Sequence, residues 1–174
     1  THFSLVDKFN NVLSATSSIE SSFGSRLFTN GFFLNNQLTD FSFKITDDSG
    51  VLIKNRPQAE KKPLSSMSPL IIFDNNKNFY MTVGSPGVKA IISYVFKSLI
   101  STLYLNKNIE RAINEPNYIK IKDKIFVETD SLKDIVKQNA LKRNLTSGLA
   151  IIIKKKKNFE AVADSRRDGT VRGN

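Results

Sequence analysis

Lys62-Pro63-Leu64-Ser65-Ser66-Met67-Ser68-Pro69 closes a long polar stretch of this chain, and Gly84-Ser85-Pro86-Gly87 opens its longest apolar one. Between them, Leu70 to Phe73 and Phe79 to Val83 flank Asp74-Asn75-Asn76-Lys77-Asn78, turn residues between two strand-like runs, so this stretch predicts a β-hairpin. After the glycine turn, Ile91, Ile92, Val95, Phe96, Leu99, Ile100 and Leu103 recur at three- and four-residue intervals. That spacing predicts a buried helix within 88–105 carrying one wide apolar face. A helix start after a glycine turn presents free backbone N–H groups to an anion or a developing oxyanion.

Working outward, the first residues alternate, with Thr1, Phe3 and Leu5 on one face and His2, Ser4 and Val6 on the other. Asp7 to Asn11 supplies turn chemistry and Val12 to Ile19 reads as the returning strand. A hairpin folded about the Phe9–Asn10 bond would set Thr1 opposite Ser18. Gly31 to Leu34 is a short strand-like run followed by Asn35, Asn36, Gln37 and Asp40, a polar cluster at a strand end. From 44 to 67 the chain is polar and broken by Pro57 and Pro63, which predicts a long surface loop. Beyond the central helix, Ile109 to Asn114 reads as a short helix ending before Pro116, and Ser131 to Lys142 as another, capped by Asp130 or Ser131. Leu149 to Ile153 and Phe159 to Val162 form a further hairpin around Lys154 to Lys157. Hairpins interleaved with helices indicate an α+β fold, an antiparallel sheet with packed helices. The length predicts one domain over 1–174.

Composition removes several classes of function. There is no cysteine and His2 is the only histidine, which speaks against a Cys/His zinc site and against a Ser-His-Asp or Cys-His device. The net charge of +10 invites a nucleic-acid reading, but the only run of basic residues, Lys154 to Lys157, lies in a hairpin turn without interleaved aromatics. Neither nucleic-acid binding nor a membrane span is expected, since the apolar segment 88–105 contains Lys89 and Lys97.

A threonine at a true chain start has its own α-amine as a base, so its hydroxyl needs no histidine to become a nucleophile. The Thr1-His2-Phe3-Ser4 start, the Pro63-Leu64-Ser65-Ser66-Met67-Ser68-Pro69 string and the Gly84-Ser85-Pro86-Gly87 turn together resemble the small subunit of γ-glutamyltransferases, from Thr1 to about Gly173. The resemblance implies an N-terminal-nucleophile hydrolase, with this chain forming half of an αββα sandwich and a larger subunit from the same autoprocessed precursor completing it. It implies glutathione or other γ-glutamyl compounds as donors, water or an amino acid or peptide as acceptor, and a γ-glutamyl-threonine ester between them. Thr1 then corresponds to the nucleophile region, Ser18 to a hydroxyl near the nucleophile's amine, and Gly87 and Val88 to the two oxyanion donors. Gln37 and Asp40 correspond to contacts with the donor's α-ammonium and its surroundings, Glu20 to a position that touches the donor, and Ser65 and Ser66 to the grip on its α-carboxylate. No cofactor or metal is implied, and the family's usual bacterial location is periplasmic or secreted. The terminal Asp164-Ser165-Arg166-Arg167-Asp168-Gly169 resembles a family segment read here as structural.

The resemblance is imperfect at named places. The family's small chain opens with two hydroxyl residues before its histidine, so the nucleophile is either Thr1 or a threonine immediately upstream. Val88 stands for a glycine, Glu20 for the asparagine of many members, Lys62 for an arginine and Ser165 for a proline. Two alternatives stay open: an acylase of the same superfamily acting on glutaryl-type amides, for which Asp40 would be dispensable, and a noncatalytic homologue.

Overall fold

The computed structural model describes residues 1–136 and 139–173. Along them run β1 (His2–Val6), β2 (Val12–Thr16), β3 (Phe28–Thr29), β4 (Phe32–Phe33), β5 (Leu70–Phe73), β6 (Phe79–Gly84), α1 (Ile91–Leu99), α2 (Ile109–Asn114), β7 (Tyr118–Ile121), β8 (Lys124–Val127), α3 (Asp130–Val136), β9 (Ala140–Lys142), β10 (Ala150–Lys155) and β11 (Asn158–Ala163). Contacts group these elements into two compact units, Thr1–Thr16 with Ser66–Asn174, and Ser17–Ser65.

The centre of the first unit is an antiparallel sheet in the order β11-β10-β6-β5. Strand alternation sends Met81 and Val83 of β6 and Ile151 and Ile153 of β10 into a core shared with Ile91, Tyr94, Val95, Ile109 and Ile113 of the helices. The other face of β6 carries Thr82 and Gly84 and receives the β1–β2 hairpin, where Ser4 Oγ lies 3.3 Å from Thr82 Oγ1. Layers of helix, sheet and hairpin follow, an α+β arrangement. A second sheet pairs β7 with β8 antiparallel and β8 with β9 parallel, so the molecule is not antiparallel throughout. β7 and β8 are not among the strands expected from the sequence. The helix expected over Ser131–Lys142 is shorter, because Ala140–Lys142 leaves it to pair with β8; Lys137 and Gln138 lie outside the described residues.

Of the two faces of β1, the half-buried one is His2, Ser4 and Val6, while Phe3 and Leu5 are exposed. One expectation about a face, that of the central helix, is corrected. The helix beyond Gly87 begins as a 3-10 turn over Val88–Ala90, continues as α1 and ends in a π-helical turn over Ile100–Tyr104. Its buried side carries Tyr94, Val95, Lys97, Ser98, Ser101 and Thr102, and Ile92, Phe96, Ile100 and Leu103 face outward. Most of the buried polar groups on this side are satisfied. Ser98 Oγ donates to the Tyr94 carbonyl (3.0 Å), and Lys97 Nζ donates to the Glu115 carbonyl (2.5 Å) and Asn117 Oδ1 (2.9 Å). Periodicity marks an apolar stripe without saying which molecule covers it.

The second unit is mostly irregular. It holds the β3–β4 pair, a 3-10 turn over Gln37–Asp40, and the 44–67 stretch as far as Ser65, in which Thr46 and Leu52 form an isolated bridge. Asp47 organises that stretch by accepting from the N–H groups of Ser49 and Val51. No helix among the described residues is long and apolar enough to cross a membrane.

Candidate active site

Thr1 is exposed at the start of β1, and its α-amine is held below its ordinary pKa, first by burial and then by the charge of Arg167. A lower amine pKa leaves more free base at neutral pH to accept a hydroxyl proton. The adjacent His2 is locked rather than catalytic: Nδ1 lies 2.9 Å from Thr16 Oγ1 and Nε2 3.2 Å from Ser4 Oγ. Burial, followed by the charge of the nearby amine, pushes its pKa down to about 4, so the ring is neutral at physiological pH.

The hairpin register is one step away from the sequence expectation. His2 pairs with Thr16 and Val6 with Val12, which centres the turn on Phe9 rather than on the Phe9–Asn10 bond. The paired register runs from His2–Thr16 to Val6–Val12 and ends there. The turn of Asp7 to Asn11 sets the count, with Asp7 Oδ1 accepting from the N–H groups of both Phe9 and Asn11 at 2.8 Å.

At the other end of β6 the chain turns sharply through Gly87 at φ 136° and Val88 at φ 54°. Gly87 must be glycine for a second reason, since a Cβ there would stand 2.5 Å from Tyr94 Cε2. Val88 has no such licence. A β-branched residue in the left-handed region costs about 1–2 kcal/mol, and such outliers cluster at functional sites. Its side chain is exposed, while the peptide groups on either side of it lie at the start of the 3-10 turn. Two successive N–H groups presented by such a turn suit a developing negative charge on oxygen.

Within the second unit, the candidate residues form two small networks. Ser18 Oγ accepts the Glu20 N–H at 2.9 Å, which bends the chain so that Glu20 adopts φ 70°. The Glu20 carboxylate receives Ser21 Oγ–H and Asn36 Nδ2–H, the latter at 2.6 Å, and these bonds lower its pKa, Ser21 contributing most. Asn36 is a residue that sequence reasoning gave no role: its amide also reaches Ser21 Oγ and Thr39 Oγ1, and its Oδ1 accepts the Ser21 N–H. Its membership of the Asn35-Asn36-Gln37 cluster is the one signal the sequence offers. Next to it, Gln37 Nε2 donates to Asp40 Oδ2, and the Asp40 carbonyl accepts from Asn55 Nδ2 at 2.7 Å. Asn36 and Ser21 also border an open depression of about 460 Å³ whose rim includes Arg26.

Ser65 is exposed and Ser66 half-buried, in an extended segment where the Leu64 N–H reaches Asn55 Oδ1 (2.9 Å) and Ser68 Oγ reaches the Ser66 carbonyl (2.9 Å). Among the described residues no group of three or more His, Cys, Asp and Glu side chains is placed to hold a metal ion.

The family model described as gamma-glutamyltranspeptidase matches residues 1–173. This chain belongs to that family. It is 35% identical over 185 aligned positions to the glutathione hydrolase proenzyme of Bacillus subtilis (strain 168), covering 99% of this chain and 30% of that protein. It superposes on a Helicobacter pylori gamma-glutamyltranspeptidase mutant with a TM-score of 0.81 at 31% identity, over 96% of this chain and all of that one. For the Pseudomonas nitroreducens gamma-glutamyltranspeptidase complexed with L-DON the TM-score is 0.84 at 26% identity, over 99% and 98% of the two chains. The chain thus spans less than a third of the Bacillus subtilis glutathione hydrolase proenzyme while matching nearly the whole of each solved chain. Its α+β fold is the one those gamma-glutamyltranspeptidase chains share.

Proposed function

We propose that this chain is the small, nucleophile-bearing subunit of a γ-glutamyltransferase that also acts as a glutathione hydrolase. The observation that supports the reading is the Gly87–Val88 turn, which corresponds by resemblance to the family's oxyanion donors and in which a strained valine persists in the left-handed region. The nucleophile is a threonine freed by autoprocessing, Thr1 or the residue immediately before it. Its hydroxyl gives its proton to the chain's own α-amine and attacks the γ-glutamyl carbonyl. The Gly87 and Val88 N–H groups hold the resulting oxyanion, and the leaving amine takes a proton as the γ-glutamyl ester forms. Water, or an amino acid or peptide amine, then attacks the ester and returns the threonine.

Residue roles follow the family's pattern. Asp40, oriented by Gln37, pairs with the donor's α-ammonium, for which a carboxylate is the right partner. By the same pattern Ser65 and Ser66 grip the α-carboxylate, Glu20 takes the place of an asparagine that touches the donor in many members, and Ser18 corresponds to the family's hydroxyl near the nucleophile's amine.

The larger subunit of the same precursor covers the outward apolar faces, Phe3, Leu5 and Leu13 on the hairpin and Ile92, Phe96, Ile100 and Leu103 on the central helix. These side chains are about half exposed, so covering the rest of each stabilises by about 1 kcal/mol, a sum that favours holding two chains together. A periplasmic or secreted location belongs to the same proposal and is read by cell fractionation.

The test expresses the whole precursor, sequences the N-terminus of the small chain, and assays a γ-glutamyl anilide. A free N-terminal threonine with turnover is the expected result. An uncleaved precursor without turnover would make this a noncatalytic homologue. Asp40→Ala separates the remaining alternative: it should abolish work on glutathione, whereas an acylase for glutaryl amides would be indifferent to it.

A further inference from the structure

Ser85 is wholly buried and has no part in the roles assigned above. Its hydroxyl accepts the Gly148 N–H at 3.0 Å and donates to the Pro86 carbonyl at 2.7 Å. Gly87 and Val88 follow directly, both with positive φ. Such a pair of residues, the second β-branched, holds only where its surroundings over-determine the backbone. From the helix side, the Tyr94 ring lies against Gly87 and the Ala90 N–H reaches the Gly87 carbonyl at 3.1 Å. From the sheet side, Ser85 ties the turn to the segment leading into β10. That segment is itself fixed by the fully buried Asp164, whose carboxylate receives Ser147 Oγ–H and whose N–H reaches the Leu149 carbonyl at 2.8 Å.

We infer that Ser85 is the positioning residue of the oxyanion turn: by clamping Pro86 to Gly148 it fixes the direction of the Gly87 and Val88 N–H groups. The inference rests on the proposed reading of that turn. Ser85 touches no substrate. Its effect falls on the step in which charge develops on oxygen and leaves donor binding alone. The strain at Val88 adds a second consequence. A glycine at 88 adopts the same conformation without strain, so Val88→Gly should reduce the dependence on Ser85.

The experiment uses the processed two-chain enzyme with Ser85→Ala, and with Ser98→Ala as a control that also loses a buried hydroxyl. Turnover of a γ-glutamyl anilide is measured alongside deuterium exchange of the peptide covering residues 84–91. Ser85→Ala should lower kcat by roughly 10- to 100-fold with KM within about threefold, the size expected for misdirected oxyanion donors. It should also speed exchange in that peptide, and Ser98→Ala should do neither. Added to Val88→Gly, the same change should cost less. Unchanged kcat and exchange, or a joint loss of kcat, KM and stability matching Ser98→Ala, would overturn the inference. If the unmodified enzyme has no turnover, the proposed function fails, and the exchange comparison still decides the role of Ser85. If Ser85→Ala does not fold, Ser85→Cys, similar in size but a weak hydrogen-bonding partner, carries the same comparison.

Discussion

The imidazole of His2 lies against the backbone of Gly84, so closely that a Cβ at residue 84 would stand 2.1 Å from His2 Cε1. The first strand of the chain is seated on the central sheet by this contact. Gly84→Ala should therefore destabilise by about 1–3 kcal/mol, the usual cost of overpacking. The loss should shrink in the double variant with His2→Ala, because the two residues share one space. Urea unfolding of the single and double variants checks it, and additive losses would deny the contact.

His2 also gives the fold a pH dependence of definite sign. Its folded pKa of about 4 lies below the ordinary 6.5, so between these values the unfolded chain binds the extra proton. The stability contributed by the neutral ring is complete above 6.5 and is lost as pH falls toward 4. Thermal midpoints measured across this window should fall less steeply for His2→Gln than for the natural chain. Parallel curves would contradict the assignment.

Lys97 is buried with its ammonium on two backbone carbonyls and Asn117, and its pKa is pushed down to about 8, by burial first and then by the charge of Arg166. Lys97→Met leaves those acceptors unmet and should cost about 2 kcal/mol at neutral pH. Because the folded pKa lies below the ordinary 10.5, the natural chain gains stability relative to the variant as pH rises from 8 toward 10.5. Chemical denaturation at the two ends of that window reads the difference.

Val88→Gly should raise stability. Relief of left-handed strain outweighs the added flexibility of glycine in the unfolded chain, for a net gain of about 0.5–1 kcal/mol. Calorimetry on the processed enzyme measures it, and a loss would mean that the valine side chain is held by contacts that offset its strain.

Phe96 lies 55% exposed on the outward stripe of α1. Phe96→Asp should change the small chain's own stability by less than about 0.5 kcal/mol, as surface substitutions do. In the coexpressed precursor it should prevent the two chains from purifying together. Retained copurification would remove this stripe from the interface.

Elements written in local periodicity are legible in the sequence. The β5–β6 and β10–β11 hairpins, the α2 helix before Pro116 and the glycine turn at 84–87 all fall where turn residues and apolar spacing put them. The chemistry-bearing strings are legible as well, because short motifs keep their residues adjacent. The hairpin register is not: centring on Phe9 rather than on the Phe9–Asn10 bond depends on Asp7 gathering the N–H groups of Phe9 and Asn11, a side-chain bond that spacing does not encode. Asn36 and Ser85 stay hidden in the sequence because their importance lies in partners distant along the chain, Glu20 for one and Gly148 for the other.

The sequence by itself determined the α+β class and the position of the turns, since those follow from local conformational preference and side-chain type. Only the tertiary structure decided which faces are covered. Tyr94, Lys97 and Ser98 turn inward and Phe96 outward, because the buried polar groups of that helix find acceptors in the segment from Ile113 to Asn117 and in its own backbone. The apolar stripe is left to face outward, and hydrophobicity, which has no direction, cannot tell the two sides apart.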